Sequence, residues 1–258
     1  MRVRYTDFLS VITLAFCLGL IAGPASAADT HPEGRLYHAS ENPLADVEKA
    51  LTRAKERNRL LLVVAGGNWC HDSRALASRL KQSPLADVVK NNYELQFVSV
   101  GYFEQGRDVM QRFGVAHYYA TPTVLIIDPA SGELLNAEDR HQWGNAYNID
   151  MSTSVEYFEK WLERDSTAEP VVQSEELRQL NSKIDEFEQQ LANRLVAGDA
   201  GKQSEEFDAS WDELREFRSS IPKAIDQLRS DARQRVAAGE ENVQLTFPEF
   251  APLSWEAR

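Results

Sequence analysis

The stretch GGNWCHDSRAL, residues 66–76, places a tryptophan and a cysteine between an apolar run and a helix signal. The run before it, Leu60–Ala65, is continuously apolar and contains valines, which is typical of a strand buried on both faces. A helix is predicted to begin around Cys70 and to continue until Pro84. The cysteine therefore lies where the chain passes from a buried strand into a helix, at the sheet edge where ligands usually bind.

Helices and strands alternate on either side of this stretch. Asn42 and Pro43 open a helix, as an asparagine cap and a proline in the first turn, and that helix is expected to end near Asn58. Apolar patterns predict the remaining elements, which are a short helical piece at 85–89, a strand at 95–100, a helix at 107–113, a strand at 123–127, a fourth strand around Leu134 and a last helix around 155–162. This order predicts an α/β fold, a mixed central sheet flanked by helices.

The second half of the chain is predicted to be helical. Small and polar residues with a proline, at 164–174, indicate a linker. Beyond it, apolar residues recur at spacings of three and four, which predicts an antiparallel helical hairpin. Its loop is expected at AGDAG, residues 197–201, and Pro222 is expected to kink or split the second arm. The apolar stripe either packs on itself and on the first domain, or forms a surface for self-association or for a partner.

The N-terminus has the form of a cleavable secretory signal. Arg2 and Arg4 precede the apolar stretch Phe8–Ile21, and Ala25–Ala27 supplies the small residues of a cleavage site. We therefore expect a periplasmic protein with no membrane span after cleavage. Lipid attachment at Cys17 is the alternative, which the bulky residue before it disfavours. The predicted divisions are a signal peptide at 1–27, an N-terminal extension at 28–42, an α/β domain at 43–165, a linker at 166–174, the hairpin at 175–240 and a tail at 241–258.

Charge and cysteine content limit the classes of function. The formal net charge of −12 argues against nucleic acid or anionic lipid as partners. Signal cleavage would remove Cys17 and leave Cys70 as the only thiol, so no internal disulfide is expected. In an oxidising compartment such a thiol is reactive, bonded to another molecule, or buried and inert. No cofactor or metal is predicted, because Cys70 and His71 lack the spacing of a metal site and His117 and His141 are expected at the surface.

The position of Cys70 favours a reactive thiol. A cysteine at the first turn of a helix lies beside unpaired backbone N–H groups, and the helix dipole there favours negative charge. Both effects favour the thiolate, which is the nucleophile. Trp69 beside it would shield one side and offer an aromatic surface to an incoming peptide. The alternative is that Cys70 is a small buried hydrophobic residue without reactivity.

Two motifs together resemble the thioredoxin superfamily. They are LLLVVAGGNWCHDS and, some fifty residues later, ATPTVLIID, and the resemblance extends from about Pro43 to Arg164. It implies a thioredoxin-like fold in which Cys70 matches the nucleophilic cysteine, Trp69 its tryptophan and Pro122 a cis-proline that faces the cysteine. The threonine before that proline, Thr121, is similar to the one in periplasmic disulfide isomerases. The resemblance implies Cys70, Ser73 and Pro122 as catalytic positions, and Trp69, His71, Asp72 and Thr121 as substrate-binding positions.

The chain departs from the family at two positions. Ser73 stands where the resolving cysteine belongs, so residues 70–73 form a C-x-x-S variant that cannot close the internal disulfide. Val64 stands where thioredoxin has a buried aspartate that accepts the proton of the resolving thiol. Ser73 is expected to donate a hydrogen bond to the Cys70 thiolate, which His71 would support if protonated and Asp72 would oppose. Because exchange passes through a mixed disulfide, a second thiol must release it.

Two functions remain open from the sequence. The first is thiol–disulfide exchange or mixed-disulfide capture through Cys70, with protein clients or small thiols as partners. The second is a redox-inactive binding module whose groove beside Pro122 takes an extended peptide. The extra residues 117–119 are expected to form a lip over that groove. Trp143 and Tyr147 either cover the sheet edge or line a second recognition surface.

Overall fold

The computed structural model describes residues 36–137, 139–140, 142–162, 174–200 and 207–256. The predicted signal peptide, most of the predicted linker and His141 lie outside the described residues. The described residues all belong to one compact unit. Within the described ranges, no helix has both the length and the apolar character needed to cross a membrane.

The first half of the structure alternates helices and strands in the predicted order, apart from a fourth strand. Its elements are α1 (Pro43–Glu56), β1 (Leu60–Gly66), α2 (His71–Arg79), α3 (Leu85–Asn92), β2 (Tyr93–Ser99), α4 (Arg107–Arg112), β3 (Thr123–Ile127), a 3-10 segment (Gln142–Asn148) and α5 (Met151–Lys160). Most predicted bounds lie close to these, but α2 ends at Arg79 and does not continue until Pro84. The helix that follows the quoted stretch begins one residue after Cys70, which is its N-cap.

The sheet is mixed, as the sequence predicts. Among the described residues it has three strands in the order β2-β1-β3. Leu62 of β1 pairs with Leu95 of the parallel strand β2 and with Ile126 of the antiparallel strand β3. The central strand β1 is buried on both faces, which explains why its sequence is a continuous apolar run instead of an alternating one.

Helical layers cover both faces of the sheet. Alternate side chains of a strand point to opposite faces. Leu61 and Val63 pack in one cluster with residues of α1 and α4. Leu62 and Val64 pack in the other with residues of α2, α3 and α5. Burying one leucine or valine side chain completely contributes about 1.5–3 kcal/mol to the free energy of folding, relative to leaving that side chain exposed. Because β1 has buried side chains on both faces, it stabilises both layers.

The fourth strand predicted around Leu134 is wrong. Leu134 forms an isolated antiparallel bridge with Ile127, and the chain around it is otherwise irregular. The side chain of Asn136 explains the difference, because its Oδ1 accepts a hydrogen bond from the N–H of Ile126 (2.8 Å) and its Nδ2 donates to the carbonyl of Val124 (2.9 Å). The side-chain amide of Asn136 thus makes hydrogen bonds with β3 that the backbone of a fourth strand would otherwise make.

The C-terminal region is a helical hairpin with its own core. Helices α6 (Glu175–Ala200) and α7 (Phe207–Ala237) run antiparallel, since Asp199 pairs with Arg218 and Asp185 pairs with Arg229. The core contains apolar residues of both helices, of the tail and of the loop before Pro122: Leu180, Ile184, Leu191, Leu195, Leu214, Phe217, Ile221, Ile225, Leu228, Val243, Leu253 and Tyr119. The apolar stripe is therefore covered by the hairpin itself, by the tail and by the first half of the chain.

The loop predicted between the two arms of the hairpin is partly wrong. Residues 197–200, predicted as a loop, form the last turn of α6. Gly198 is required there for packing, because a Cβ would lie 2.7 Å from Trp255 and 2.9 Å from Leu214. Helix α7 is not split at Pro222, which lies inside it. The hairpin core on either side of the proline holds the helix together at a position where proline removes one backbone hydrogen bond.

Candidate thiol site

Cys70 lies at the N-terminus of α2, directly after the loop that follows β1. It is the N-cap residue, with an extended backbone (φ −82°, ψ 125°), and its side chain is partly exposed. Its N–H donates to the carbonyl of Gly67 at 3.0 Å, and its carbonyl accepts from the N–H of Arg74 at 3.1 Å. The backbone of Cys70 is therefore fixed by the loop on one side and by the helix on the other.

The loop before β3 faces this thiol. The Thr121–Pro122 peptide bond is cis, as the resemblance predicts. Cys70 Sγ donates a hydrogen bond to the carbonyl oxygen of Thr121 at 3.1 Å, although the two residues are 51 positions apart. The structure thus brings Cys70, Thr121 and Pro122 together at one edge of the sheet.

Ser73 is fully buried beneath the loop. Its hydroxyl accepts a hydrogen bond from the N–H of Gly67 at 3.3 Å, and its carbonyl accepts from Tyr37 Oη at 3.3 Å. Burial raises the pKa of Tyr37, which keeps that phenol a neutral donor. The serine hydroxyl is thus engaged with the backbone of the loop, whereas the sequence predicts a bond to the thiolate. Tyr37 lies outside both motifs, and no pattern in the sequence indicates its place at the site.

His71 and Asp72 form one side of the site together with Tyr147. The ring of His71 lies 3.8 Å from the ring of Tyr147, measured between centroids. Asp72 Oδ1 accepts a hydrogen bond from the N–H of Tyr147 at 2.9 Å, and Asp72 Oδ2 is 4.0 Å from His71 Nδ1. Trp143 is completely buried against α5, so of the two aromatic residues in this segment one covers the sheet and the other lies at the thiol site.

Trp69 forms the other side of the site. Its Nε1 donates to the carbonyl of Gly101 at 2.6 Å, and its ring is stacked with that of Tyr102 at 5.8 Å. Trp69, Tyr102 and Tyr147 are 41%, 67% and 60% exposed, and they are three of the four exposed large hydrophobic residues of the described chain. Tyr102 follows β2 at the same sheet edge as Cys70, which is the sequence signal that could have identified it.

The predicted lip over the groove is wrong. His117, Tyr118 and Tyr119 are buried, so His117 is not the surface residue expected from the sequence. His117 Nδ1 accepts from the N–H of Tyr118 at 2.9 Å, and its Nε2 lies 3.7 Å from Asp199 Oδ2 in α6. Burial lowers the pKa of His117, which favours the neutral imidazole. These three residues face the helical hairpin. Because the hairpin is distant in the sequence, no local pattern could indicate these contacts.

The described chain offers no ready place for a metal ion. Within it, no group of three or more His, Cys, Asp or Glu side chains is arranged to hold one.

The fold and the site define a thioredoxin-like domain with one thiol at the N-terminus of a helix, opposite a cis-proline. Residues 42–129 match the family model described as thioredoxin-like, so the resemblance carried by the two motifs is confirmed for this part of the chain. A solved structure described as a disulphide isomerase from Xylella fastidiosa Temecula1 is 24% identical, with a TM-score of 0.47, and the match covers 51% of this chain and 99% of that one. No curated protein matches the chain.

Proposed function

We propose that this protein is an exported thiol–disulfide exchange protein that forms mixed disulfides with client proteins through Cys70. The observation that carries the proposal is the placement of a partly exposed thiol at a helix N-terminus, 3.1 Å from the Thr121 carbonyl and beside Pro122. Exchange needs a sulfur that a client disulfide can reach, and the partly exposed Cys70 meets that need. The surrounding thioredoxin-like fold supports the same chemistry.

The exchange step conserves disulfides. The Cys70 thiolate attacks one sulfur of a client disulfide, a new S–S bond forms, and the old S–S bond breaks. The departing client sulfur keeps the bonding electron pair as a thiolate. A second thiol, from the client or from a small molecule, then attacks the mixed disulfide and releases Cys70. When the second thiol belongs to the client, the client disulfide is only moved, so the cycle isomerises disulfides and needs no external oxidant. When it is a small-molecule thiol, that thiol stays bonded to one client sulfur and the other client sulfur is left as a thiol.

The other predicted positions have supporting roles in this proposal. Thr121 and Pro122 form the wall against which the client lies, and Trp69 supplies an aromatic surface beside it. His71 and Asp72 fix Tyr147 on the opposite side. A serine hydroxyl cannot resolve a disulfide, so Ser73 holds the loop and the mixed disulfide persists until an external thiol arrives.

The proposed location is the periplasm. The basic residues, apolar stretch and small residues of 1–27 support export through a signal peptide. An oxidising compartment supplies client disulfides, which are the substrates of the proposed reaction. The proposed division of the exported chain is a thioredoxin-like domain at 43–165 and the helical hairpin at 175–240.

A redox-inactive binding module is the second candidate, and the exposed aromatic residues favour it. Trp69, Tyr102 and Tyr147 offer apolar surface on either side of the cysteine. Such a surface binds an extended peptide whether or not a covalent bond forms. Under this candidate function, replacing the thiol leaves the set of bound proteins unchanged.

One experiment separates the two functions. The protein is isolated from its own cells after acid quenching, and adducts at Cys70 are identified by non-reducing mass spectrometry, with Cys70→Ser as the control. Exchange predicts proteins or small thiols bonded to Cys70 that are lost on reduction and are absent from the variant. A free thiol at rest and under oxidising stress, together with the same bound proteins in the variant, would overturn exchange in favour of binding alone.

A further inference from the structure

We infer that the helical hairpin is part of the thiol site, and that Arg218 of α7 positions the two loops that flank Cys70. These are the tryptophan-side loop, residues 101–106, and the proline-side loop, residues 117–122. The inference deepens the proposed function, because it concerns the geometry of the same thiol. It assigns a role within the site to a helical region that the sequence predicts as a separate domain.

Arg218 is a buried cation held from three sides. It is 7% exposed, and its Nη2 lies 2.6 Å from Asp199 Oδ1 of α6. Its Nη1 donates to the carbonyl of Tyr118 at 3.4 Å. The guanidinium carbon lies 4.0 Å from the ring centroid of Phe103. One side chain of α7 therefore contacts the other arm of the hairpin and both loops of the thiol site.

The first route from Arg218 to the thiol passes through Phe103. The ring of Phe103 lies 5.4 Å from that of Trp69, and Trp69 precedes Cys70 in the chain. Phe103 has a left-handed backbone (φ 79°), which costs free energy for a residue with a bulky side chain. Arg218 packs on the face of this strained residue, so it stabilises the loop to which the indole of Trp69 is bonded through Gly101.

The second route passes through the proline-side loop. Arg218 bonds the carbonyl of Tyr118, three residues before Thr121, whose carbonyl accepts from Cys70 Sγ. Tyr118 Oη also donates to the carbonyl of Gln105 at 2.6 Å, which joins the proline-side loop to the tryptophan-side loop. A displacement of Arg218 would therefore move the acceptor of the thiol and the wall beside it together.

The chemistry of the guanidinium fits this role. Its planar face stacks on an aromatic ring while its edge donates several hydrogen bonds in fixed directions. Lysine retains the charge and the pair with Asp199 but not the flat face and the forked donors. Arg218→Lys should therefore keep the pair while loosening both loops, which separates positioning from simple neutralisation of a buried charge.

The test measures Cys70 directly with iodoacetamide. The alkylation rate is recorded against pH for the full chain and for Arg218→Lys and Arg218→Met. Arg215→Met serves as the control, since Arg215 is an exposed arginine of the same helix. We expect the alkylation rate of Arg218→Met to differ from the wild-type rate by about twofold to tenfold. This factor corresponds to the free energy of one lost hydrogen bond. The Lys variant should lie between it and the wild type, and Arg215→Met should match the wild type.

Folding and function are controlled separately. If Arg218→Met does not fold, Asp199→Asn combined with Arg218→Met removes both buried charges and is measured instead. The indole N–H resonance of Trp69, assigned by its loss in Trp69→Phe, should shift in the Arg218 variants. Folded Arg218 variants with the wild-type profile and an unmoved indole resonance would overturn the inference. Alkylation needs no client, so a changed alkylation profile supports the inference even if no adduct forms in cells. The lack of adducts would then count against the exchange function but not against the role of Arg218.

Discussion

Tyr119 Oη donates a hydrogen bond to Glu188 Oε1 over 3.1 Å, and so joins the loop before Pro122 to helix α6, 69 positions later in the chain. Burial raises the pKa of Tyr119 well above its ordinary value, which keeps the phenol protonated and able to donate. Glu188 also accepts from Arg140 at 3.3 Å and from Arg229 at 3.2 Å. One buried carboxylate therefore holds three donors from three segments of the chain.

Glu188→Ala should strongly destabilise the protein. The change leaves Arg140 buried without its carboxylate partner and removes one of the two acidic partners of Arg229. Breaking a buried ion pair by removing one partner costs about 3–5 kcal/mol in the free energy of unfolding. The free energy is measured by urea denaturation, with the exposed Glu186→Ala of the same helix as control. A loss for Glu188→Ala within about 0.5 kcal/mol, the range of ordinary surface substitutions, would contradict this account.

The buried His117 should make stability depend on pH. Its surroundings include Asp199, Arg218 and Arg107, and burial is the largest cause that lowers its pKa. In the unfolded chain the histidine binds a proton below about pH 6.5, whereas in the folded protein it stays neutral to lower pH. The unfolded state therefore gains protons first, and the free energy of unfolding should fall as the pH drops below about 6.5.

The His117→Gln variant isolates this contribution. Between pH 6.5 and the lowered pKa of His117, the wild type should lose up to about 1.4 kcal/mol per pH unit more than the variant. Above that window the two slopes should agree. Thermal or urea unfolding at several pH values measures the difference. Equal slopes in wild type and His117→Gln throughout the acidic range would refute the assignment.

Elements with local signals could be predicted from the sequence. Helix α1 begins where expected because Asn42 Oδ1 accepts a hydrogen bond from the N–H of Ala45 at 2.9 Å. The two residues are only three positions apart, so the local sequence is enough to predict this cap. Strand β1 could be predicted because a short, continuously apolar run is typical of a strand that is buried on both faces. The opposition of Cys70 and Pro122 came from the family resemblance, since no local rule joins residues so far apart.

The features that could not be predicted depend on partners distant in the sequence. Gly198 and Asp199 have the composition of a loop, yet they end α6, because Trp255 packs on the glycine and Arg218 pairs with the aspartate. His117 resembles a surface histidine until the hairpin covers it. The sequence of one segment does not show which charged side chain a distant segment will place against it, so these contacts could not be predicted.

Gly66→Ala should destabilise the end of β1. A Cβ at this position would lie 2.6 Å from Ser73 Oγ and 2.8 Å from Cζ of Tyr37, and both side chains are buried and unable to move aside. Overpacking of this kind costs about 1–3 kcal/mol. In Gly67→Ala the new Cβ would instead meet the indole of Trp69, which is partly exposed and can shift. Calorimetry should therefore show the larger loss of stability for Gly66→Ala, and a larger loss for Gly67→Ala would contradict the packing argument.

Ser73→Cys should convert the trapping site into a self-resolving one. Residue 73 lies one helical turn after Cys70, so a thiol there can attack a mixed disulfide from the same face of the helix. We expect adducts at Cys70 to fall to background in acid-quenched cells and an internal disulfide between residues 70 and 73 to form in their place. Ser73→Ala, which also loses the acceptor for the N–H of Gly67 but gains no thiol, should retain the adducts. Wild-type adduct levels in a folded Ser73→Cys variant would show that the serine is not what makes the mixed disulfide persist.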